Sequence, residues 1–149
     1  HLGLRRTVSA LADMARRVVI VETVPELGFE VPSAYLIAEL TGRNVQTLIA
    51  PTVEEYGERN AVANGVIASL SASGAVEIIS PAKALCDEKL CAVTARGVPL
   101  YRDSNHLSTF GARYLAPLLD PVLSGVSGAA GRPVDQPPPP SRHHQQLLP

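Results

Sequence analysis

The chain has 149 residues and a formal net charge of −1, from 13 basic and 14 acidic residues. Its length fits one domain with its own hydrophobic core, and a content of 46% hydrophobic and 18% charged residues is typical of a globular protein. The balanced charge argues against a nucleic-acid partner, because such proteins carry a clear basic excess. No apolar run approaches the roughly 18 residues of a membrane span, so the sequence predicts no transmembrane segment.

The first part of the chain predicts a helix followed by a buried strand. Leu4, Val8 and further apolar residues at spacings of three and four predict an amphipathic helix over residues 4–16. Residues 17–23 then predict a strand, because Val-Val-Ile-Val is β-branched throughout and Pro25 follows it. A helix leading into a continuous apolar strand is typical of a parallel α/β sheet.

A long helix is predicted over residues 52–71, followed by a second strand over residues 76–80. Thr52 is the expected N-cap, Glu55 lies in the first turn, and Gly74 follows where the helix ends. The apolar positions of this helix include Val62, Val66, Ile67 and Leu70.

Shorter elements are predicted around these. A short helix over residues 33–40 has Ser33 as its expected cap, and residues 100–103 form an extended piece. Ser108 is expected to cap a last helix that runs to about residue 119. The inner face of that helix carries Leu115, Leu118 and Leu119.

The composition changes at residue 124, which divides the chain into an ordered domain over residues 1–123 and a Pro- and Gly-rich tail over residues 124–149. The tail includes four consecutive prolines and is predicted to be disordered. Two strands are few for a doubly wound sheet, which has about five. We therefore expect the remaining strands to precede His1.

Asp103 and His106 are the residues with the clearest catalytic pattern. They lie three apart in a loop that enters a helix, and at that spacing a carboxylate reaches the imidazole and stabilises its protonated form. The alternative is a solvated loop in which Asp103 caps a turn and His106 has no role.

Cys86 and Cys91 are separated by four residues, which allows a small disulfide-closed loop. Two free thiols in a cytosolic protein are the alternative. A zinc site would need two more ligands, and no Gly-rich phosphate loop follows the first strand. We therefore expect no metal and no cofactor.

The string Leu-Tyr-Arg-Asp-Ser-Asn-His-Leu-Ser over residues 100–108, with Gly111 and Ala112 after it, resembles the last motif block of SGNH (GDSL-like) hydrolases. More narrowly, it is similar to the SGNH domain at the C-terminus of membrane O-acyltransferases of the acyltransferase-3 family. Residues 18–32 resemble that family's strand and proline-bounded loop, and Cys86 and Cys91 match a cysteine pair common there. The resemblance covers about residues 10–120.

The resemblance implies the C-terminal portion of a three-layer α/β/α SGNH-hydrolase (flavodoxin-like) fold. Asp103 would orient His106, and His106 would be the general base for a serine nucleophile. The implied function is acyl transfer, commonly of acetyl, to hydroxyls of a cell-surface glycan, with the acyl donor delivered by a membrane acyltransferase domain. The implied location is the bacterial periplasm or the extracytoplasmic face of a membrane, where Cys86 and Cys91 would be oxidised to a disulfide.

The sequence departs from the family's pattern because it contains no Gly-Asp-Ser segment. Ser104 is too close to the Asp–His pair to be the family's nucleophile, and Asn44 is in the wrong place for an oxyanion-hole donor. We expect the serine to lie upstream of this chain. The alternatives are a freestanding SGNH esterase and a catalytically inert truncated remnant.

Overall fold

The computed structural model describes residues 2–124. The Pro- and Gly-rich tail predicted over residues 124–149 lies, from residue 125 onward, outside the described residues. Helices dominate, and the strands form two small two-stranded sheets. The elements in chain order are α1 (Leu2–Ala12), β1 (Val19–Val21), α2 (Val31–Thr41), α3 (Val45–Ile49), α4 (Val53–Ala72), β2 (Glu77–Ile79), α5 (Ala82–Leu85), β3 (Thr94–Ala95), β4 (Val98–Pro99), α6 (Thr109–Leu115), a 3₁₀ turn (Ala116–Leu119) and α7 (Asp120–Leu123).

Strands β1 and β2 pair in parallel, with Val19 opposite Glu77 and Val21 opposite Ile79. The chain crosses from one to the other through α2, α3 and α4, as a parallel connection requires. The parallel pairing predicted for these two segments is confirmed. Each strand has three residues and is shorter than its β-branched run suggested.

Helix α4 begins and ends where the sequence predicts. Thr52 forms a capping box with Glu55, whose carboxylate accepts from the Thr52 backbone N–H while the Thr52 hydroxyl accepts from the Glu55 N–H. The chain leaves the helix through Gly74, which has a φ of +76° and therefore takes a conformation that favours glycine. The placement of Val62 on the apolar face is wrong, because that side chain is 67% exposed.

Helix α1 packs against the end of α4. Val8, Leu70 and Val76 form a small buried cluster there. Helix α1 ends at Ala12 rather than at residue 16, and Leu11 is largely exposed.

Two short elements differ from the prediction or were missed. Helix α2 begins at Val31, so Ser33 lies inside the helix and does not cap it. Pro32 occupies the first turn, where the backbone N–H has no partner within the helix and its absence costs nothing.

Strands β3 and β4 form a hairpin that was not predicted from the sequence. Its turn is made by Arg96 and Gly97, which both have positive φ, the conformation that two-residue hairpin turns favour.

The last helix does not run continuously to residue 119. Helix α6 ends at Leu115 and is followed by a 3₁₀ turn and then α7, with Pro117 and Pro121 each near the start of the next segment. Proline has no backbone N–H to continue the helical hydrogen bonds, so each one starts a new segment. Leu115 is buried as predicted, whereas Leu119 is largely exposed.

The main core lies between α2, α3 and the segment that carries the Asp–His loop. Leu100 and Tyr101 are at its centre, with 0% and 1% of their surfaces exposed. The members of this core are Leu27, Val31, Ala34, Val45, Ile49, Leu85, Val93, Leu100, Tyr101 and Leu115.

Candidate functional site

Two buried residues anchor the loop that carries Asp103 and His106. Leu100 and Tyr101 bury their side chains in the main core, and Tyr101 forms an antiparallel bridge with Leu107. The Arg102 N–H donates to the His106 carbonyl oxygen at 2.8 Å and closes the loop between them. The loop is therefore a short hairpin-like turn rather than a free segment.

Ser108 and Gly111 fix the end of this loop against the strand before it. The Ser108 hydroxyl donates to the Pro99 carbonyl at 2.8 Å and accepts from the Gly111 N–H at 3.0 Å, which makes it the cap of α6, as predicted. A Cβ atom on Gly111 would lie 1.9 Å from the Leu100 carbonyl oxygen. Only glycine allows α6 to approach the backbone this closely.

Asp103 organises the turn through its carboxylate. Oδ1 accepts from the backbone N–H of Asn105 at 3.1 Å and from that of His106 at 2.7 Å. The Asn105 bond, followed by the contacts with His106, lowers the pKa of Asp103 to about 2, because each favours the charged form. Asp103 is therefore ionised across the physiological pH range.

His106 is held by the same carboxylate. Its Nδ1 lies 3.0 Å from both Oδ1 and Oδ2 of Asp103. A carboxylate can only accept, so this contact assigns the proton to Nδ1 and leaves Nε2 with a free lone pair when the ring is neutral. The His106 side chain is 63% exposed, and no other described residue hydrogen-bonds to its ring. Nε2 is thus available to a group outside the loop.

Arg102 is a minor neighbour of this pair. One of its guanidinium nitrogens lies 3.4 Å from Oδ2 of Asp103, and its side chain is 72% exposed. An exposed ion pair at that distance contributes little.

The Asp–His loop is hydrogen-bonded to the loop that follows β1. The Leu27 N–H, in the segment between β1 and α2, donates to the Ser104 carbonyl at 2.7 Å. The sequence placed Asp103 and His106 in a loop before a helix, and the structure joins that loop to the segment after the first strand.

The serine and asparagine weighed above do not join the pair. Ser104 lies within the loop and contributes its carbonyl to Leu27. The Asn44 side chain accepts from the Gln46 N–H at the start of α3 and is used as a helix cap.

Cys86 and Cys91 are joined by a disulfide. They also pair as an antiparallel bridge across a turn in which the Asp87 carboxylate accepts from two backbone N–H groups. From Cys91 the chain leads through Val93, whose carbonyl accepts from the Leu100 N–H at 2.9 Å. The disulfide-closed turn is therefore attached to the strand that precedes the site.

Gln46 is a supporting residue that the sequence did not reveal. Its amide donates to the Cys91 carbonyl and accepts from the Val93 N–H, both at 2.8 Å. Nothing in the local pattern distinguishes this glutamine from an exposed one on a short helix, because its partners are more than forty residues away.

Within residues 2–124, no group of three His, Cys, Asp or Glu side chains is arranged to hold a metal ion. In the same part of the chain, no helix has both the length and the apolar character needed to cross a membrane.

The comparison with protein families gives a match over nearly the whole described chain. The model of the SGNH domain (fused to AT3 domains) matches residues 1–121. The chain belongs to this family. The resemblance drawn from residues 100–112 is thereby confirmed, and the mixed α/β structure agrees with membership of the SGNH family. The comparisons with curated proteins and with solved structures found no match.

Proposed function

We propose that residues 1–123 form the C-terminal part of a three-layer α/β/α SGNH domain that transfers acyl groups. His106 is the general base for a serine hydroxyl, and Asp103 is the residue that orients it. One observation carries this proposal: Nδ1 of His106 lies 3.0 Å from both carboxylate oxygens of Asp103, while the ring stays 63% exposed. A base must be held in one tautomer and must also be reachable, and this pair has both properties.

The reaction follows from the two ring nitrogens. Nε2 accepts the serine proton as the serine oxygen attacks the acyl carbonyl, and the imidazolium then returns that proton to the departing group of the donor. An acyl-serine ester remains. Nε2 next accepts the proton of an acceptor hydroxyl, whose oxygen attacks the ester, and the proton passes to the serine oxygen as it leaves. Asp103 stabilises the imidazolium in both halves of the reaction.

The family description supports the choice of acyl donor. SGNH domains of this kind are fused to AT3 domains, and a membrane acyltransferase domain is the expected source of the acyl group. We propose acetyl transfer to hydroxyls of cell-surface glycans at the extracytoplasmic face of a bacterial membrane. The Cys86–Cys91 disulfide suits an oxidising compartment of that kind.

The tautomer of His106 tests the role of Asp103 directly. In long-range ¹H–¹⁵N spectra, assigned with a His106→Gln variant, we expect the neutral ring to carry its proton on Nδ1. Asp103→Ala should shift the population toward the Nε2–H form, which free imidazole side chains favour. Asp87→Ala is the matched control, because the Asp87 carboxylate caps a similar turn at 2.7 and 2.8 Å without touching a histidine. An unchanged tautomer in Asp103→Ala would contradict the proposal.

The source of the serine is tested by the nucleotide sequence that precedes the codon for His1 in the same frame. A segment encoding Gly-Asp-Ser supports transfer through an upstream serine, and unrelated sequence contradicts it. Turnover of p-nitrophenyl acetate by this chain separates the two alternatives. Turnover that His106→Ala abolishes would favour a freestanding esterase, whereas a folded chain with no turnover and no upstream Gly-Asp-Ser would be an inert remnant.

A further inference from the structure

A polar cleft of about 450 Å³ opens between the loop after β1 and the first turns of α4. Its charged lining residues are Glu26 from the loop and Glu55, Glu58 and Arg59 from α4. Gly28, Tyr56 and the apolar residues 48–51 complete the lining. We call it the acidic cleft. Its volume is at the lower end of the range for small-molecule sites.

The acidic cleft is connected to the Asp–His loop by the backbone. Leu27, which lies between the two lining residues Glu26 and Gly28, donates its N–H to Ser104 at 2.7 Å. Leu27 itself is buried, so the loop after β1 and the Asp–His loop are held together at a fixed point. Asp103 and His106 do not line the cleft themselves, but a ligand there would contact Glu26 and Gly28, the neighbours of the residue that is hydrogen-bonded to their loop.

Tyr56 connects the acidic cleft to the segment that follows β1. It lines the cleft, and its hydroxyl donates to the Thr23 carbonyl at 3.2 Å. The side of the cleft formed by α4 is therefore hydrogen-bonded to the chain that leads from β1 to Glu26.

The charges of the acidic cleft favour some ligands over others. Three carboxylates are set against the one guanidinium of Arg59, and that guanidinium pairs with Glu26. The Glu55 carboxylate is engaged by Thr52, and the bonds to the Thr52 backbone and hydroxyl lower its pKa. The Glu58 carboxylate forms no ion pair with another described residue. The lining is therefore net negative at neutral pH, with carboxylates that accept from hydroxyl or ammonium groups.

We propose that the acidic cleft binds the hydroxyl-bearing acceptor of the acyl group, and that its charge selects neutral or amino sugars over uronic acids. This inference depends on the proposed function for the identity of the ligand as acceptor. Tyr56 and the apolar residues Leu48 and Ile49 supply apolar contacts, and the carboxylates supply hydrogen-bond acceptors, which together suit a sugar ring.

Binding to the full chain tests the acidic cleft without any need for catalysis. Three oligosaccharides of equal length and different charge are titrated in ¹H–¹⁵N spectra: cellotetraose, the glucosamine tetramer and tetragalacturonate. We expect the first two to shift the backbone signals of Gly28 and Tyr56, and the galacturonate to bind at least about fivefold more weakly than cellotetraose, the effect of one unit charge about 4 Å away in water.

Reversing the charge of one lining residue should shift the preference of the acidic cleft from the glucosamine oligomer toward the galacturonate oligomer. Glu58→Lys changes the charge by two units and is therefore expected to strengthen galacturonate binding and weaken glucosamine binding by about 25-fold each, and the difference should shrink at 0.5 M salt. Glu54→Lys is the matched control, since Glu54 is exposed on the same helix and does not line the cleft. Both substitutions are at exposed positions, and the spectra themselves report whether the fold is kept.

Two results would overturn the inference. If none of the three sugars moves the signals of Gly28 or Tyr56, the acidic cleft is not a saccharide site. If galacturonate binds as well as cellotetraose, the charge selection is wrong. The His106 tautomer is read in the same samples, so failure of the acceptor site and failure of the Asp–His assignment are recorded separately.

Discussion

Replacing Gly111 with alanine should destabilise the protein although alanine favours helices. The added Cβ would lie 1.9 Å from the Leu100 carbonyl oxygen and 2.8 Å from its carbon, both backbone atoms of a fully buried residue. Helix propensity gains about 1 kcal/mol, whereas overpacking against a fixed neighbour costs about 3 kcal/mol. The expected net loss is about 2 kcal/mol, or about 8 °C in Tm for a domain of this size.

The assay is thermal and urea unfolding of Gly111→Ala beside Gly65→Ala. Gly65 is an exposed helical glycine in α4 with open space around its Cβ position, so the same substitution there should stabilise by about 1 kcal/mol. The two variants are expected to shift in opposite directions. A Gly111→Ala protein that melts at or above the wild-type temperature would refute the close approach of α6 to Leu100.

Three further substitutions test the loop and the turn before it. Ser108→Ala should cost about 1–2 kcal/mol in urea unfolding, because it removes the cap of α6, while Ser33→Ala, within α2, should stay within about 0.5 kcal/mol; equal effects would contradict the cap assignment. Asp103 has a pKa of about 2 in the fold against about 3.9 in the unfolded chain, so its stabilisation is complete above about pH 5 and is lost as the pH falls toward 2. Asp103→Asn should therefore flatten the stability profile between pH 2 and 5, and parallel profiles would refute this. Replacing both Cys86 and Cys91 with serine should lower the free energy of unfolding by about 2 kcal/mol, because the disulfide no longer restricts the unfolded chain. An unchanged urea midpoint would disprove this.

The sequence predicted the elements that local signals define. The capping box of Thr52 and Glu55 depends on residues within a stretch of four, and helix α4 begins there. The β-branched run that contains β1 and the segment that contains β2 were assigned for the same reason, and a proline follows each of them. The structure pairs the two strands in parallel. Asp103 and His106 were singled out by their spacing and by the resemblance of residues 100–112 to a family motif, and the loop between them places the two side chains in contact.

The features that the sequence did not predict depend on distant partners. Gln46 binds Cys91 and Val93 across the fold, and no periodicity encodes such a contact. The acidic cleft has the same origin: Glu26 and Arg59 come together only because the loop after β1 lies against α4. Val62 was misplaced because an apolar residue in a helix pattern was taken as buried, whereas that face of α4 is open.

The hydrogen bonds of the Asp–His turn join residues that are close in sequence, whereas the pairing of β1 with β2 joins residues that are far apart in sequence. Asp103 contacts residues no more than three positions away, and loops of about ten residues close within about 10–100 ns. The pairing of Val19 with Glu77 instead spans three intervening helices, and long-range pairing of this kind sets the folding rate. The Asp–His turn is therefore expected to sample its native hydrogen bonds in the collapsed chain well before the sheet is complete. Substitutions in the turn should change the folding rate more than the unfolding rate, because the turn is already formed when the strands assemble in the rate-limiting step.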